Sequence, residues 1–436
     1  MGERLTEVFM QLFSEKNSDG TKNLVLKGKD LWQRIGTRLH CQDMLKVSPF
    51  LQKNKAIVKL DLCYNEIGDK GVQVLVDDYL SMEDNTLIHL NLVSCGIGPK
   101  GVCSLLKASL TLKLKSLRLN GNKLGFKGGV IVSNLLGKSR TLIHLDMGDT
   151  DQTLATVQYF MQVMRDDIGT INKLRIFDFS RLIPMSKGYQ YDPSHLAESV
   201  GEMLKVNSHL TEIHLQKNGI DGHNVELLLL GVRLNKTLLL LDLGFNNMGD
   251  YGIELIGKWI SQRPPLLGLN VAANGIGDIG ARALSFGMPF SKLRMLDISH
   301  NHIGNDGMID ILNSIKKPYM MRYLFIWGNN FDHRAHLIIQ RMLLSTVLVQ
   351  EQIDVKLYTV DEVIYAAYYP SNHYKHRYYC VMDHGCPVEL KIKRNKKVSG
   401  SSMPREKLNF HFYDRYPPVN PSLSPDKINC ICQKEN

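Results

Sequence analysis

Three groups of residues in this 436-residue chain have types and spacings that could do chemistry. Gly275-Ile276-Gly277-Asp278-Ile279-Gly280-Ala281 satisfies the G-x-G-x-x-G/A pattern that seats a dinucleotide pyrophosphate on a helix N-terminus. Cys380, Cys386, Cys430 and Cys432, with His373, His376 and His384 nearby, are of the types that ligate zinc, but no C-x-x-C pair is among them. Lys391, Lys393, Arg394, Lys396 and Lys397 form a basic cluster of the kind read as a nuclear-import signal or a nucleic-acid contact. Each group has a plainer rival. The glycines recur elsewhere as turn and helix-start residues, and thiols spaced so unevenly are expected to be unlinked. In the basic region Val388, Leu390 and Ile392 alternate with Glu389, Lys391 and Lys393, and Leu408, Phe410 and Phe412 alternate in the same way, so two strands are expected to pair around the turn near residue 400. No Ser-His-Asp or paired-carboxylate set converges on one point, so no catalytic site, metal or cofactor is expected.

The elements that position these residues are set by a repeat. The pattern L-x-x-L-x-L-x-x-N occurs at 57–65, 114–122, 210–218, 238–246, 266–274, 293–301 and 321–329, with weaker copies starting at Leu87, Leu142 and Leu174. Its last position falls at intervals of 27 to 36 residues, most of them 27 or 28. The L-x-L core predicts a short strand with alternate side chains inward, and the closing Asn is of a type that satisfies backbone groups where the chain turns away. A helix start follows, as in Ile67-Gly68-Asp69-Lys70-Gly71, and then apolar residues at helical spacing. No single unit can bury its own apolar face, whereas ten stacked units make one continuous core with a parallel sheet inside and helices outside.

Bulk properties agree with a folded protein: 44% of residues are apolar and 22% charged. No apolar run of about 18 residues and no signal-peptide pattern is present, so neither a membrane span nor secretion is expected. The eight cysteines lack the framework of a secreted disulfide domain, which predicts a reducing, intracellular setting: cytoplasm, nucleus or cilium. Met1 to Thr6 also fits a loose myristoylation pattern, against which Leu5, Val8, Phe9, Leu12 and Phe13 recur at helical spacing. Three regions are expected: a helical cap over 1–55, the array over 56–349, and a last capping strand followed by a basic, Tyr- and Pro-rich extension over 350–436. Residues 183–195, in the longest unit, are expected to protrude as a loop.

With a period near 28 and N-x-I-G-D-x-G after the strand, at 65–71 and 274–280, the chain resembles the ribonuclease-inhibitor class of leucine-rich-repeat proteins. The resemblance implies an α/β solenoid, a horseshoe with a parallel concave sheet and convex helices. That class includes inhibitors, GTPase activators, innate sensors, actin-capping proteins and axonemal components, so it does not fix a function. Repeat number and the Tyr-rich ending, 360–379, are further similar to one member of the class. This implies a nuclear or nucleolar and cytoplasmic protein of stem, germ or ciliated cells without catalytic activity.

Positions three, five, seven and eight of each copy are expected to face the concave side. The fifth column includes Asp61, Asp146, Asp178, Asp242 and Asp297, an acidic stripe suited to a basic or amphipathic protein partner. Toward the C-terminal end Phe245, His300, Tyr323, Phe325 and Trp327 occupy concave positions and are the expected anchor for that partner. The alternative for Phe325 and Trp327 is packing beneath the extension, which holds twelve Lys and Arg against six Asp and Glu from 366 to 436 and could occlude the groove. Two rival functions follow: a GTPase-activating solenoid using Arg118 and Asn120, and a nucleic-acid-associated protein using the basic tail. The chain is expected to act as a monomer or as one part of a larger assembly.

Overall fold

In every copy of the repeat the residues at positions four and six lie against the helices behind them, and both are buried, as at Leu60 and Leu62 or Leu241 and Leu243. The computed structural model describes residues 5–169, 171–182, 191–317 and 320–369, and the backbone of 390–393 and 409–412. The chain divides into two compact units, Met1–Leu210 and Thr211–Asn436.

The first unit carries strands β1 (Ser14–Lys16), β2 (Lys22–Val25), β3 (Ile57–Asp61), β4 (His89–Asn91), β5 (Ser116–Arg118), β6 (His144–Asp146) and β7 (Ile176–Asp178), adjacent in that order. From β2 onward the pairing is parallel. Its helices are α1 (Glu7–Leu12), α2 (Gly28–Ile35), α3 (Met44–Lys53), α4 (Gly68–Leu75), α5 (Pro99–Lys107), α6 (Gly125–Lys138), α7 (Leu154–Val163) and α8 (Pro193–Val206). Strands β3 to β7 are the repeat copies. Residues 1–55 were expected to be helical, but β1 and β2 pair antiparallel within them and β2 extends the sheet. The expected loop over 183–195 is also shorter in its visible part. Residues 183–190 lie outside the described residues, while Pro193 starts α8 and Asp192 caps it by accepting from the Ser194 N–H at 2.9 Å.

The second unit carries β8 (Glu212–His214), β9 (Leu240–Asp242), β10 (Gly268–Asn270), β11 (Met295–Asp297) and β12 (Tyr323–Phe325), all parallel, with helices α9 (Gly222–Val232), α10 (Gly249–Ser261), α11 (Asp278–Gly287), α12 (Asn305–Ser314) and α13 (His333–Leu344). The expected last strand at 353–357 does not join the sheet as a strand: its one backbone pairing there is an isolated bridge from Ile353 to Leu324. Instead β13 (Val355–Val360) turns at Asp361 and Glu362 and pairs antiparallel with β14 (Val363–Tyr368). The expected pairing in the basic region is present: β15 (Leu390–Lys393) pairs antiparallel with β16 (Asn409–Phe412).

Two devices lock successive repeats. The Asn side chain at the ninth position bridges its own turn to the one before it. Asn301 Nδ2 donates to the Ile298 and Val271 carbonyls at 2.9 and 3.1 Å, and its Oδ1 accepts from the Asn274 N–H at 2.8 Å. Leaving any of these buried groups unmet costs about 1 to 3 kcal/mol, so Asn is demanded there. Cys95 and Thr150 do part of this work, through Sγ to the Leu62 carbonyl at 3.0 Å and Oγ1 to the Met147 carbonyl at 2.6 Å. The second device explains I-G-D-x-G. Asp69 Oδ1 accepts from Gly98 N–H and Gly101 N–H at 2.7 and 2.8 Å, so each aspartate caps the helix of the following repeat. A Cβ on Gly101 would lie 2.8 Å from that same oxygen, which is why the position stays glycine.

Candidate protein-binding surface

The same geometry disposes of the nucleotide-like motif. Gly275 is left-handed at φ +70°, and a Cβ on Gly280 would meet Ile253 Cγ2 at 2.4 Å. Gly277 N–H donates to Asp250 Oδ1 at 2.7 Å, so a carboxylate of the chain itself already occupies the helix N-terminus that a pyrophosphate would need. The zinc candidates Cys380, Cys386, Cys430 and Cys432 lie outside the described residues, as do Arg394, Lys396 and Lys397. Lys391 and Lys393 fall on β15. Among the described residues no group of His, Cys, Asp and Glu could hold a metal ion, and Cys41, Cys63, Cys95 and Cys103 are free thiols. Burial pushes the Cys95 thiol up to about 12.

The fifth-position side chains of adjacent strands meet one another, and this consumes the charge that was expected to face solvent. In the first unit Arg118 Nη2 pairs with Asp146 Oδ2 at 2.9 Å, both nearly inaccessible, while Asp146 Oδ1 accepts from the Gly148 N–H at 3.2 Å. Asp178, also buried, accepts from the Ser180 N–H at 3.1 Å. In the second unit Asp242 takes four donors: His214 Nδ1 at 2.7 Å, Gln216 Nε2 at 2.8 Å, Asn270 Nδ2 at 2.7 Å and the Gly244 N–H at 3.1 Å. His214 reaches Glu212 Oε1 at 2.5 Å with its other nitrogen. Asp297 accepts from Ser299 Oγ at 2.6 Å and the Ser299 N–H at 3.1 Å. The expectation of a solvent-facing acidic stripe is therefore corrected for Asp146, Asp178, Asp242 and Asp297: one strand spacing, about 4.8 Å, puts each within reach of donors on its own or the neighbouring strand. Arg118 and Asn120, the pair considered for a GTPase-activating role, are buried as well.

The aromatic residues divide in two. Tyr323 and Phe325 are buried and stacked, ring centroids 6.4 Å apart, in a cluster with Leu240, Leu267 and Met295. They were expected to be exposed, and burial against Leu240, Leu267 and Met295 of the preceding copies corrects this. Phe245 and Trp327 are half-buried and His300 is exposed. Phe245 carries Lys217 Nζ 5.0 Å above its ring. Trp327 packs against Tyr368 of β14 at 5.6 Å, so the expected contact with the extension exists through the hairpin. One signal was missed from sequence. The eighth position of every copy is left-handed, and eight of the ten residues there are not glycine, with Phe245 at φ +59° and His300 at φ +55°. A non-glycine residue in this region costs roughly 1 to 2 kcal/mol.

The end of the array has its own cap. Within each unit a sixth-position N–H donates to the fifth-position carbonyl of the next repeat, as Ile298 does to Phe325 at 3.0 Å. Ile326 has no further strand to use, and its N–H donates to Asp354 Oδ1 at 2.8 Å. Trp327 N–H reaches Asp354 Oδ2 at 3.2 Å. His336 Nδ1 lies 3.0 Å from the Ile364 carbonyl, fastening β14 to α13. Burial pushes both Asp354 and Asp297 up to about 7.

A family model described as leucine-rich repeat matches residues 53–76, 83–106, 206–222, 234–257, 264–285 and 291–312. The chain carries leucine-rich repeats. It is 34% identical over 244 residues to leucine-rich repeat-containing protein 34 of Mus musculus, covering 55% of this chain and 56% of that one. The Rattus norvegicus protein of the same name is 36% identical over 188 residues, 43% of this chain and 45% of its own. The chain thus matches about half the length of these relatives. Among solved structures, that of a TLR13–ssRNA13 complex covers 70% of this chain and 36% of its own, with a TM-score of 0.34 and 17% identity. The similarity to leucine-rich repeat-containing protein 34 agrees with the repeat number and Tyr-rich ending noted in the sequence. Among the described residues no helix is long and apolar enough to cross a membrane.

Proposed function

We propose that this chain is a non-enzymatic scaffold that binds a partner protein on the strand face of its second unit. The observation that carries the reading is the left-handed eighth position. It holds Phe245 half-buried and His300 exposed at a conformation that the turn imposes in every copy, so the rings stand pre-positioned for aromatic contact. Trp327 is half-buried in the last copy, and Tyr323 and Phe325 are buried with Leu240, Leu267 and Met295 in a cluster that spans four repeats of the same unit. Because Asp242 and Asp297 are satisfied internally, the partner is recognised through apolar and aromatic contact rather than basic charge, which favours an amphipathic segment. The similarity to the ribonuclease-inhibitor class and to leucine-rich repeat-containing protein 34 supports a binding rather than a catalytic role, and with it a cytoplasmic or nuclear, including nucleolar, location or a place in cilia, read out by imaging the tagged chain.

The test uses glycine rather than alanine, since Gly328 already occupies this column at φ +80°. Phe245→Gly and His300→Gly remove the rings while relieving the backbone. Partners are collected by proximity labelling of the full chain and re-tested by pull-down with both variants. A partner that labels the wild type and loses at least tenfold affinity with either variant supports the proposal. Partners retained equally by both variants, with unchanged melting temperature, would place the binding surface elsewhere.

A further inference from the structure

In the second unit the segments that lead from each helix into the next strand, 233–239, 262–267, 288–294 and 315–322, hold eight Lys and Arg and no Asp or Glu. Parallel pairing stacks them along one edge. Arg294 N–H donates to the Leu267 carbonyl at 2.8 Å and Arg322 N–H to the Arg294 carbonyl at 2.7 Å. Their backbones are therefore one strand spacing, about 4.8 Å, apart. Lys236, Arg263, Lys292 and Lys316 are exposed, and Arg294 and Arg322 are half-buried. Lys236, Arg263, Lys292, Lys316 and Arg322 form no ion pair among the described residues. Burial and the neighbouring Arg263 charge hold the Arg294 guanidinium below its usual range, a sign of like charges set close together.

The equivalent segments of the first unit show that the fold does not require this. Glu83, Asp84, Asp166 and Asp167 are interspersed among their cations. Lys55 pairs with Asp84 at 2.6 Å and Arg165 with Asp167 at 2.5 Å. In the second unit Lys236, Arg263, Lys292, Lys316 and Arg322 are left to solvent counterions, which a polyanion would release on binding. The same segments expose two apolar groups, Phe290 at 64% and Leu234 at 56%. A bare ring among cations is the combination that holds single strands, with phosphates on Lys and Arg and a base stacked on the aromatic face. A duplex hides its base faces, and a run of carboxylates has no aromatic face to lay on the ring.

We propose that this loop edge of the second unit docks a single-stranded nucleic acid, held through its phosphates by the lysines and arginines and through one base by Phe290. Its residues are neither those of the strand face assigned to a protein partner nor those of the basic cluster at 391–397.

The experiment measures anisotropy of labelled oligothymidylate and oligouridylate, each of about 20 nucleotides, with the full chain over a range of salt. The variants are Lys236→Glu/Lys292→Glu/Lys316→Glu, Phe290→Ala, a first-unit control Lys113→Glu/Arg140→Glu, and a tail control with the five cations of 391–397 changed to Gln. A single-strand contact contributes about 0.7 to the salt slope, so the triple variant should lower the slope by about 2 and weaken binding at least tenfold at about 0.1 M salt. Phe290→Ala should weaken binding about fivefold and leave the slope unchanged. Both controls should keep the edge's share of the slope. If the glutamates lower the melting temperature, the corresponding glutamines remove the same three contacts and should lower the slope by about 2, with a smaller loss of affinity because no repulsion is added. Wild-type affinity in a folded triple variant overturns the proposal. So does a polyglutamate peptide that displaces the oligonucleotide at equal charge, since the edge would then be a site for acidic protein.

Discussion

On the strand face of the second unit a carboxylate such as Asp242 has four hydrogen-bond donors, whereas on the loop edge a cation such as Lys292 has no ion-pair partner among the described residues. The two belong to neighbouring parts of the same repeat. On strands, the parallel register places position five beside position five of the next copy, so Asp242 meets His214 and Asn270 and the charge is spent sideways. On the loops, the chain is on its way from helix to strand, and each segment buries at least one leucine or methionine while Lys236, Arg263, Lys292 and Lys316 face outward. Repetition thus consumes polar groups where adjacent copies supply complementary partners and accumulates charge where each copy brings a cation and none brings an acid.

The largest expected effect follows from the strand face of the first unit. Removing the carboxylate in Asp146→Ala takes away the ion pair of a buried arginine, Arg118, and should cost about 3 to 5 kcal/mol in urea unfolding. A loss within about 0.5 kcal/mol, the usual range for surface changes, would mean that these charges are solvated after all and would erase the contrast. A smaller effect is expected at the helix starts. Asp250→Ala strips Gly277 N–H of its acceptor and should destabilise by about 1 kcal/mol, while Asp250→Asn keeps most of that stability. If alanine and asparagine behave alike, the inter-repeat cap is not the role of this aspartate.

The strand face should also respond to pH. Asp297 and Asp354 have carboxyls raised from 3.8 to about 7, so the folded chain binds more protons than the unfolded one between these values. Their contribution is therefore fully present below about 4 and declines as pH rises to about 7, the reverse of an ordinary salt-bridged carboxylate. Melting temperature followed from pH 4 to pH 7, set against Asp354→Asn, measures this: the variant should fall less steeply over that range. Parallel curves would show that Asp354 is ionised in the folded state throughout.

Leucine and asparagine spacing made the strands, the helices and the inter-repeat turns legible, because each of those positions tolerates few residue types. The acidic column was misjudged because alternation tells which face a side chain takes but not that His214, Gln216 and Asn270 lie within 2.8 Å of Asp242. The β1–β2 pair and the β13–β14 hairpin lie outside the repeat. The hairpin turn uses Asp361 and Glu362 at φ +48° and +65° rather than the glycines that would have announced it. Phe245 and His300 were named from their positions, yet the left-handed backbone that presents them leaves its glycine mark at only two copies, Gly121 and Gly328. The loop edge went unnoticed because its cations are spread over four segments separated by whole helices and gather only once the strands are in register.

The contrast between strand face and loop edge is tested most directly by equilibrium unfolding of Asp242→Ala and Lys292→Glu side by side in the same buffer. Asp242→Ala orphans donors from His214, Gln216 and Asn270, and the predicted loss is about 2 to 5 kcal/mol. Lys292→Glu should remain within about 0.5 kcal/mol of the parent. Equal losses for the two, or a neutral Asp242→Ala, would contradict the assignment of the strand-face carboxylates to the structure and of the loop-edge cations to a ligand.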